Sequence, residues 1–86
     1  MKLSRKYYLK QQGEKYIVMK LNDSPSRVIE LNDTGAFIFQ KFLEKDRTID
    51  EVAYLMSLEY KADLNDLRAD VAEFVEALKA RNFEME

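Results

Sequence analysis

The 86 residues are 47% hydrophobic and 35% charged, the balance of one globular domain; a domain of that size buries only about 60% of the surface its unfolded chain exposes, which argues against a deep active-site cavity. Cysteine and histidine are both absent, which removes disulfides, the usual zinc and iron-sulfur ligands, thiol nucleophiles and the commonest general base. The net charge of −2 is unevenly spread: residues 1–31 hold seven basic against three acidic side chains, and residues 63–86 hold three basic against seven acidic, so the two ends attract opposite charges.

In chain order, Tyr7-Tyr8-Leu9, Tyr16-Ile17-Val18-Met19 and Val28-Ile29-Glu30-Leu31 are aromatic or β-branched runs separated by turn chemistry, and they predict three strands. Gln11-Gln12-Gly13-Glu14 closes the first hairpin. Asn22-Asp23-Ser24-Pro25-Ser26 forms the second connection, since its Pro lacks the N–H that a central strand needs. The expected product is an antiparallel three-stranded meander.

After Leu31 the apolar period changes from two to 3.6. Phe37, Ile38, Phe42 and Leu43 form a stripe behind a cap at Asn32 or Asp33, predicting a first helix over roughly 33–44. Thr48-Ile49-Asp50-Glu51 is a capping box, and a second helix from it runs to about Tyr60 on Val52, Leu55, Met56 and Leu58. Asp63 caps a third helix, in which Leu64, Leu67, Val71, Phe74, Val75 and Leu78 recur at spacings of three and four, and Asn82 stops it.

On a helical wheel, Asp66, Asp70 and Glu73 flank the third helix's apolar arc on one side, with Arg68 and Lys79 on the other. Taken alone, these charges read as a solvated rim. Chemistry is sparse elsewhere. With only Gly13 and Gly35 as glycines, neither a phosphate loop nor a dinucleotide fingerprint can be assembled. The acidic residues of the third helix lack a partner of opposed pKa that would make an acid and a base of them. The sequence therefore points to a non-enzyme, with no catalytic residue, no metal site and no cofactor. No apolar run approaches the ~18 residues of a membrane span and no signal-type segment opens the chain, so a cytoplasmic location is expected.

Leu31-Asn32-Asp33-Thr34-Gly35-Ala36, followed by Phe37-Ile38-Phe39, then Thr48-Ile49-Asp50-Glu51-Val52 and Asp70-Val71, stand in the order and at spacings at which the chain resembles the PqqD-like family. The similarity covers roughly residues 7–83, its first strand being weakly diagnostic. One departure is Asn82-Phe83, where many relatives carry a glycine followed by an aliphatic residue.

The resemblance implies an α+β, winged-helix-like fold, a three-stranded antiparallel sheet followed by three helices, that spans residues 1–86 as a single peptide-recognition domain. It further implies that the domain binds without catalysing. Its ligand would be the leader of a ribosomally made precursor peptide, added as a strand beside the third strand and against the third helix. A modifying enzyme, for instance a radical-SAM protein, would be the second partner, with no nucleic acid and no membrane involved and the chain a monomer or weak homodimer. Carried over by position, Arg27, Val28, Ile29 and Glu30 present the edge, and Asp66, Leu67, Asp70, Val71 and Phe74 form the facing wall. Leu67, Val71 and Phe74 stand equally at core spacing, so packing and ligand contact are both open for them. Asp33 and Thr34 are expected to cap the first helix.

Two other classes suit the same elements. A winged-helix DNA-binding regulator has this architecture, but the third helix carries a surplus of carboxylates where a recognition helix needs lysine and arginine. A dimerisation subunit would use the same exposed edge between two copies.

Overall fold

The computed structural model describes residues 1–21 and 29–86. Three strands, β1 (Tyr7–Gln12), β2 (Lys15–Lys20) and β3 (Ile29–Leu31), precede three helices, α1 (Asp33–Glu44), α2 (Ile49–Glu59) and α3 (Leu64–Ala80). The sheet is an antiparallel meander in the order β1-β2-β3, the α+β arrangement expected from the sequence. Arg27 and Val28 of the anticipated edge, and the connection around Pro25, lie outside the described residues.

The first hairpin is tighter than the sequence suggests. Gln12 pairs with Lys15, leaving a two-residue loop of Gly13 and Glu14. Gly13 has φ 61°, the left-handed conformation that a two-residue hairpin asks of its first loop position and that costs glycine least. This loop also fixes the hydrogen-bond phase of the sheet. Gln12 and Lys15 must exchange both backbone hydrogen bonds, because no inner pair exists to do it, and the pattern then alternates along the ladder. The N–H and C=O of Lys15, Ile17 and Met19 therefore point to β1, and those of Tyr16 and Val18 point to β3. Two contacts outside the ladder agree with this phase: the Leu21 N–H donates to the Lys6 C=O at 2.7 Å, continuing the β1–β2 pairing, and the Tyr7 N–H turns away from β2 to the Ser4 C=O at 3.2 Å.

Each helix begins on the cap its sequence announces. The Asn32 side chain accepts the Gly35 N–H at 2.9 Å, so Asn32, not Asp33, caps α1, and Asp33 lies in the first turn where a carboxylate suits the helix dipole. Both bonds of the α2 capping box are present, Glu51 N–H to Thr48 Oγ1 at 3.1 Å and Thr48 N–H to Glu51 Oε1 at 3.0 Å. Asp63 accepts the Asn65 N–H at 2.8 Å at the start of α3. At its end Asn82 takes φ 60°. The Asn82 N–H then reaches the Lys79 C=O at 3.0 Å and the Phe83 N–H reaches the Leu78 C=O at 3.1 Å, the paired bonds of a Schellman cap, with asparagine in the place usually held by glycine.

The core is built from the inner face of the sheet, α1 and one face each of α2 and α3. Phe39, Phe42, Val52, Met56, Val71 and Val75 are at most 2% exposed, and Val18 joins them from β2. Leu3, also fully buried, belongs to a clasp that the sequence did not announce. It forms an isolated antiparallel bridge with Met85, and its N–H donates to the Phe42 C=O at 2.9 Å. Ser4 and Glu86 N–H groups bond the Glu84 and Lys2 carbonyls at 3.0 and 2.8 Å, and Lys2 pairs with the Glu86 carboxylate. Among the described residues no helix is long and apolar enough to cross a membrane.

Candidate functional site: a groove between the third strand and the third helix

β3 pairs with β2 on one side only, at Tyr16↔Leu31, Ile17↔Glu30 and Val18↔Ile29. The phase set by the hairpin makes the first and last of these the hydrogen-bonded pairs. Ile29 and Leu31 therefore spend their backbone groups on β2, while the N–H and C=O of Glu30 point away from the sheet. Among the described residues no strand takes them up. The Glu30 side chain is exposed and pairs with Lys15 at 3.2 Å, whereas Ile29 and Leu31 turn inward against the core.

The free edge opens onto a groove of about 660 Å³. Glu30, Leu31 and the first turn of α1 form one side, and Leu67, Asp70, Glu73, Phe74 and Ala77 of α3 form the other. Ile38 and Met56 line it from beneath, and Tyr60 and Ala62 from the α2–α3 connection. The walls can come close because residue 35 is a glycine. A methyl there would meet Asn32 Oδ1 at 3.2 Å, the Phe74 ring at 3.4 Å and Leu31 Cδ2 at 3.5 Å. Phe74 thus packs nearly against the α1 backbone.

Of the expected wall, the structure brings together Leu67, Asp70 and Phe74 with Glu30. Leu67 is 5% exposed and belongs to the core while also lining the groove; Phe74 is half-buried and does both as well. Val71 has no exposed surface and is core alone, because it sits one residue beyond Asp70 and so turns about 100° away from the groove. Asp66 is exposed on α3 outside the groove lining. Asn32 and Thr34 serve the α1 cap, Thr34 Oγ1 donating to Asn32 Oδ1 at 3.1 Å, and yet line the groove too.

Glu73, which the sequence marks in the acidic flank though not in the expected wall, lines the groove, as do Ala77, Met56 and Tyr60, which the sequence did not nominate. A signal existed for Glu73 and Ala77, which repeat the three- and four-residue steps from Asp70 and Phe74. For Met56 and Tyr60 none did, since only the tertiary fold carries the end of α2 to the groove.

Asp70 and Glu73 of the acidic flank of α3 line this groove, and on the basic flank Arg68 turns to α2. Arg68 Nε reaches Asp50 of α2 at 2.7 Å, and Lys79 pairs with Glu76 at 3.6 Å, while Asp70 and Glu73 have no cationic partner among the described residues. Burial pushes the Tyr60 phenol above its usual range, helped by the nearby carboxylates of Asp33 and Glu59 and by Tyr16, so it stays a neutral hydrogen-bond donor at physiological pH. The arrangement offers one backbone donor and acceptor pair, an apolar trough and two carboxylates. These are the parts with which an extended peptide is held.

Solved structures share the fold. A structure of TbiB1 in complex with the TbiA(beta) leader peptide is 19% identical, covering 96% of this chain and 93% of that one with a TM-score of 0.75. A lasso peptide synthetase B1 complexed with the leader peptide is 24% identical, covering 99% and 96%, with a TM-score of 0.76. No curated protein sequence matches significantly. The family model for coenzyme PQQ synthesis protein D matches residues 15–83; β1 falls outside it, so the match starts later than the resemblance at residue 7 suggested. It takes in β2, β3, all three helices and the whole groove, and on that ground the chain belongs to the PqqD family.

Proposed function

We propose that this groove binds the leader segment of a ribosomally made precursor peptide as a fourth strand on β3, and holds it for a modifying enzyme without changing it. The observation that carries the reading is the outward N–H and C=O of Glu30 facing an apolar wall on α3, an unpaired edge with side-chain pockets beside it. Two structural neighbours are complexes with leader peptides, which supports the choice of ligand. Asp70 and Glu73 on the rim favour a leader with lysine or arginine near its contact with α3.

Leader segments from short reading frames beside the coding gene are the peptides to titrate. Binding is expected in the nanomolar to micromolar range, roughly −12 to −8 kcal/mol, and the peptide should be recovered unchanged. Turnover of the peptide by this chain alone refutes the non-enzymatic role. Reversal of the charge at Asp70 to lysine should weaken binding of a basic leader at low salt; unaltered affinity in a folded variant would mean that the rim is merely solvated.

A further inference from the structure

Seven of the eleven residues of α2 are apolar, and they run all round the helix, a composition that suits a helix covered on every side. Val52, Ala53 and Met56 meet the core and are at most 2% exposed. On the opposite side Tyr54 and Leu58 stand 57% and 65% exposed, more than any other large hydrophobic side chain among the described residues. Four residues apart, they lie on one face of the helix. Tyr54 also belongs, with Leu55, Asp50 and Glu51, to a groove of about 380 Å³ that α2 forms with Lys45 and Arg47 of the α1–α2 connection.

Leu58 is thus an apolar knob one helical turn from an apolar groove on the same face, and this makes the surface self-complementary. In a two-fold, antiparallel pairing of α2 with α2 of a second copy, each Leu58 enters the other copy's groove beside Tyr54, the reciprocal contact that closed symmetry demands. The charges favour the same arrangement. Asp50 and Glu51 open α2 and no basic residue stands in its last turn, while Lys61, exposed just past its end, has no carboxylate partner among the described residues. Antiparallel pairing brings the partner's Lys61 to Asp50 and Glu51, whereas parallel pairing sets like charges together.

We propose that a second copy of this chain covers this face, with Leu58 of each copy in the α2 groove of the other. The contact is small beside the ~800 Å² per partner of a standard interface, so the dimer is weak and forms at about 0.1 mM and above. It stands apart from strand addition at β3. Met56 and Tyr60 reach the peptide groove from the side of α2 turned away from Tyr54, at about 100° per residue, so both copies keep that groove open in the dimer.

Sedimentation equilibrium of the full chain from about 10 µM to about 1 mM should give a mass that rises from 10.2 kDa toward twice that value. Amide correlation spectra over the same range should shift Lys45, Tyr54, Leu58 and Lys61 and leave Glu30 and Asp70 in place. Leu58→Glu puts a carboxylate against Asp50 and Glu51 and should weaken association about tenfold or more, with thermal unfolding as in the wild type because the position is exposed. Charge exchange reads the orientation. Asp50→Lys, which gives up only the exposed pair with Arg68, and Lys61→Glu should each associate more weakly than wild type alone and recover when mixed one to one, since only the mixed pair sets opposite charges at both contacts. A mass of 10.2 kDa throughout, or Leu58→Glu associating as wild type does, overturns the proposal. Association with shifts at Glu30 puts the contact on the β3 edge and overturns it as well, and mixed variants that do not recover overturn the antiparallel arrangement.

Discussion

Proline separates an outward N–H from a paired one, and β3 offers one of each at adjacent positions. Glu30→Pro deletes an N–H that points away from β2, and proline is tolerated on an edge strand in that orientation. The fold loses the exposed Lys15–Glu30 pair, worth about 0–1 kcal/mol, so stability should fall by no more than about 1 kcal/mol. The bound peptide, in contrast, is left with an unpaired carbonyl, which costs about 1–3 kcal/mol, or roughly 5- to 150-fold in Kd. Ile29→Pro removes the N–H given to Val18, which leaves a carbonyl unpaired at a cost of about 1–3 kcal/mol, and truncates a side chain packed against the core, so it should destabilise by about 2 kcal/mol or more. Denaturant midpoints and anisotropy titrations of a labelled leader peptide measure the two effects on the same samples. The reverse pattern, with Ile29→Pro stable but unable to bind and Glu30→Pro binding as wild type, would refute the hydrogen-bond phase derived from the Gln12–Lys15 pair. If both variants bind normally, the peptide does not add to this edge.

Phe74→Ala should cost about 2 kcal/mol, below the ~3–5 of a fully buried phenylalanine, because the ring is half-buried at the groove; peptide affinity should fall in the same variant, read by urea denaturation and titration together. Asn82→Gly, which relieves a left-handed asparagine at the α3 cap, should stabilise by up to about 1 kcal/mol, seen as a raised Tm with unchanged peptide binding. The carboxyl of Glu86 is held below its usual range, first by its hydrogen bond to Lys2, and that of Asp46 by the α-amino group. Groups whose pKa is depressed on folding contribute stability that is fully present above their ordinary pKa and is lost as pH falls through the lowered value. Acid unfolding of Glu86→Gln followed by circular dichroism should accordingly show a shallower loss below the ordinary carboxylate range than the wild type does.

Local chemistry determined much of this protein. A capping box at Thr48–Glu51 and cap residues at Asn32 and Asp63 fix where the helices start, since each satisfies backbone donors within three residues of itself, and aromatic or β-branched runs mark the strands. The helix boundaries were accordingly legible to about one residue, and the order of short motifs from Leu31 to Val71 disclosed the family. The division of labour on α3 was not legible. Leu67, Val71, Phe74, Val75 and Leu78 form one apolar arc in the sequence, and only the approach of β3 and the first turn of α1 splits it into a core face and a groove face. The sequence marked the acidic flank, but its direction depends on α2, where Asp50 receives Arg68. Tyr60 and Met56 reach the groove, and Leu3 meets Met85, through contacts between segments far apart in the chain. Such contacts leave no periodicity for a sequence to display, because they depend on how finished helices and strands pack and not on the residues that form them.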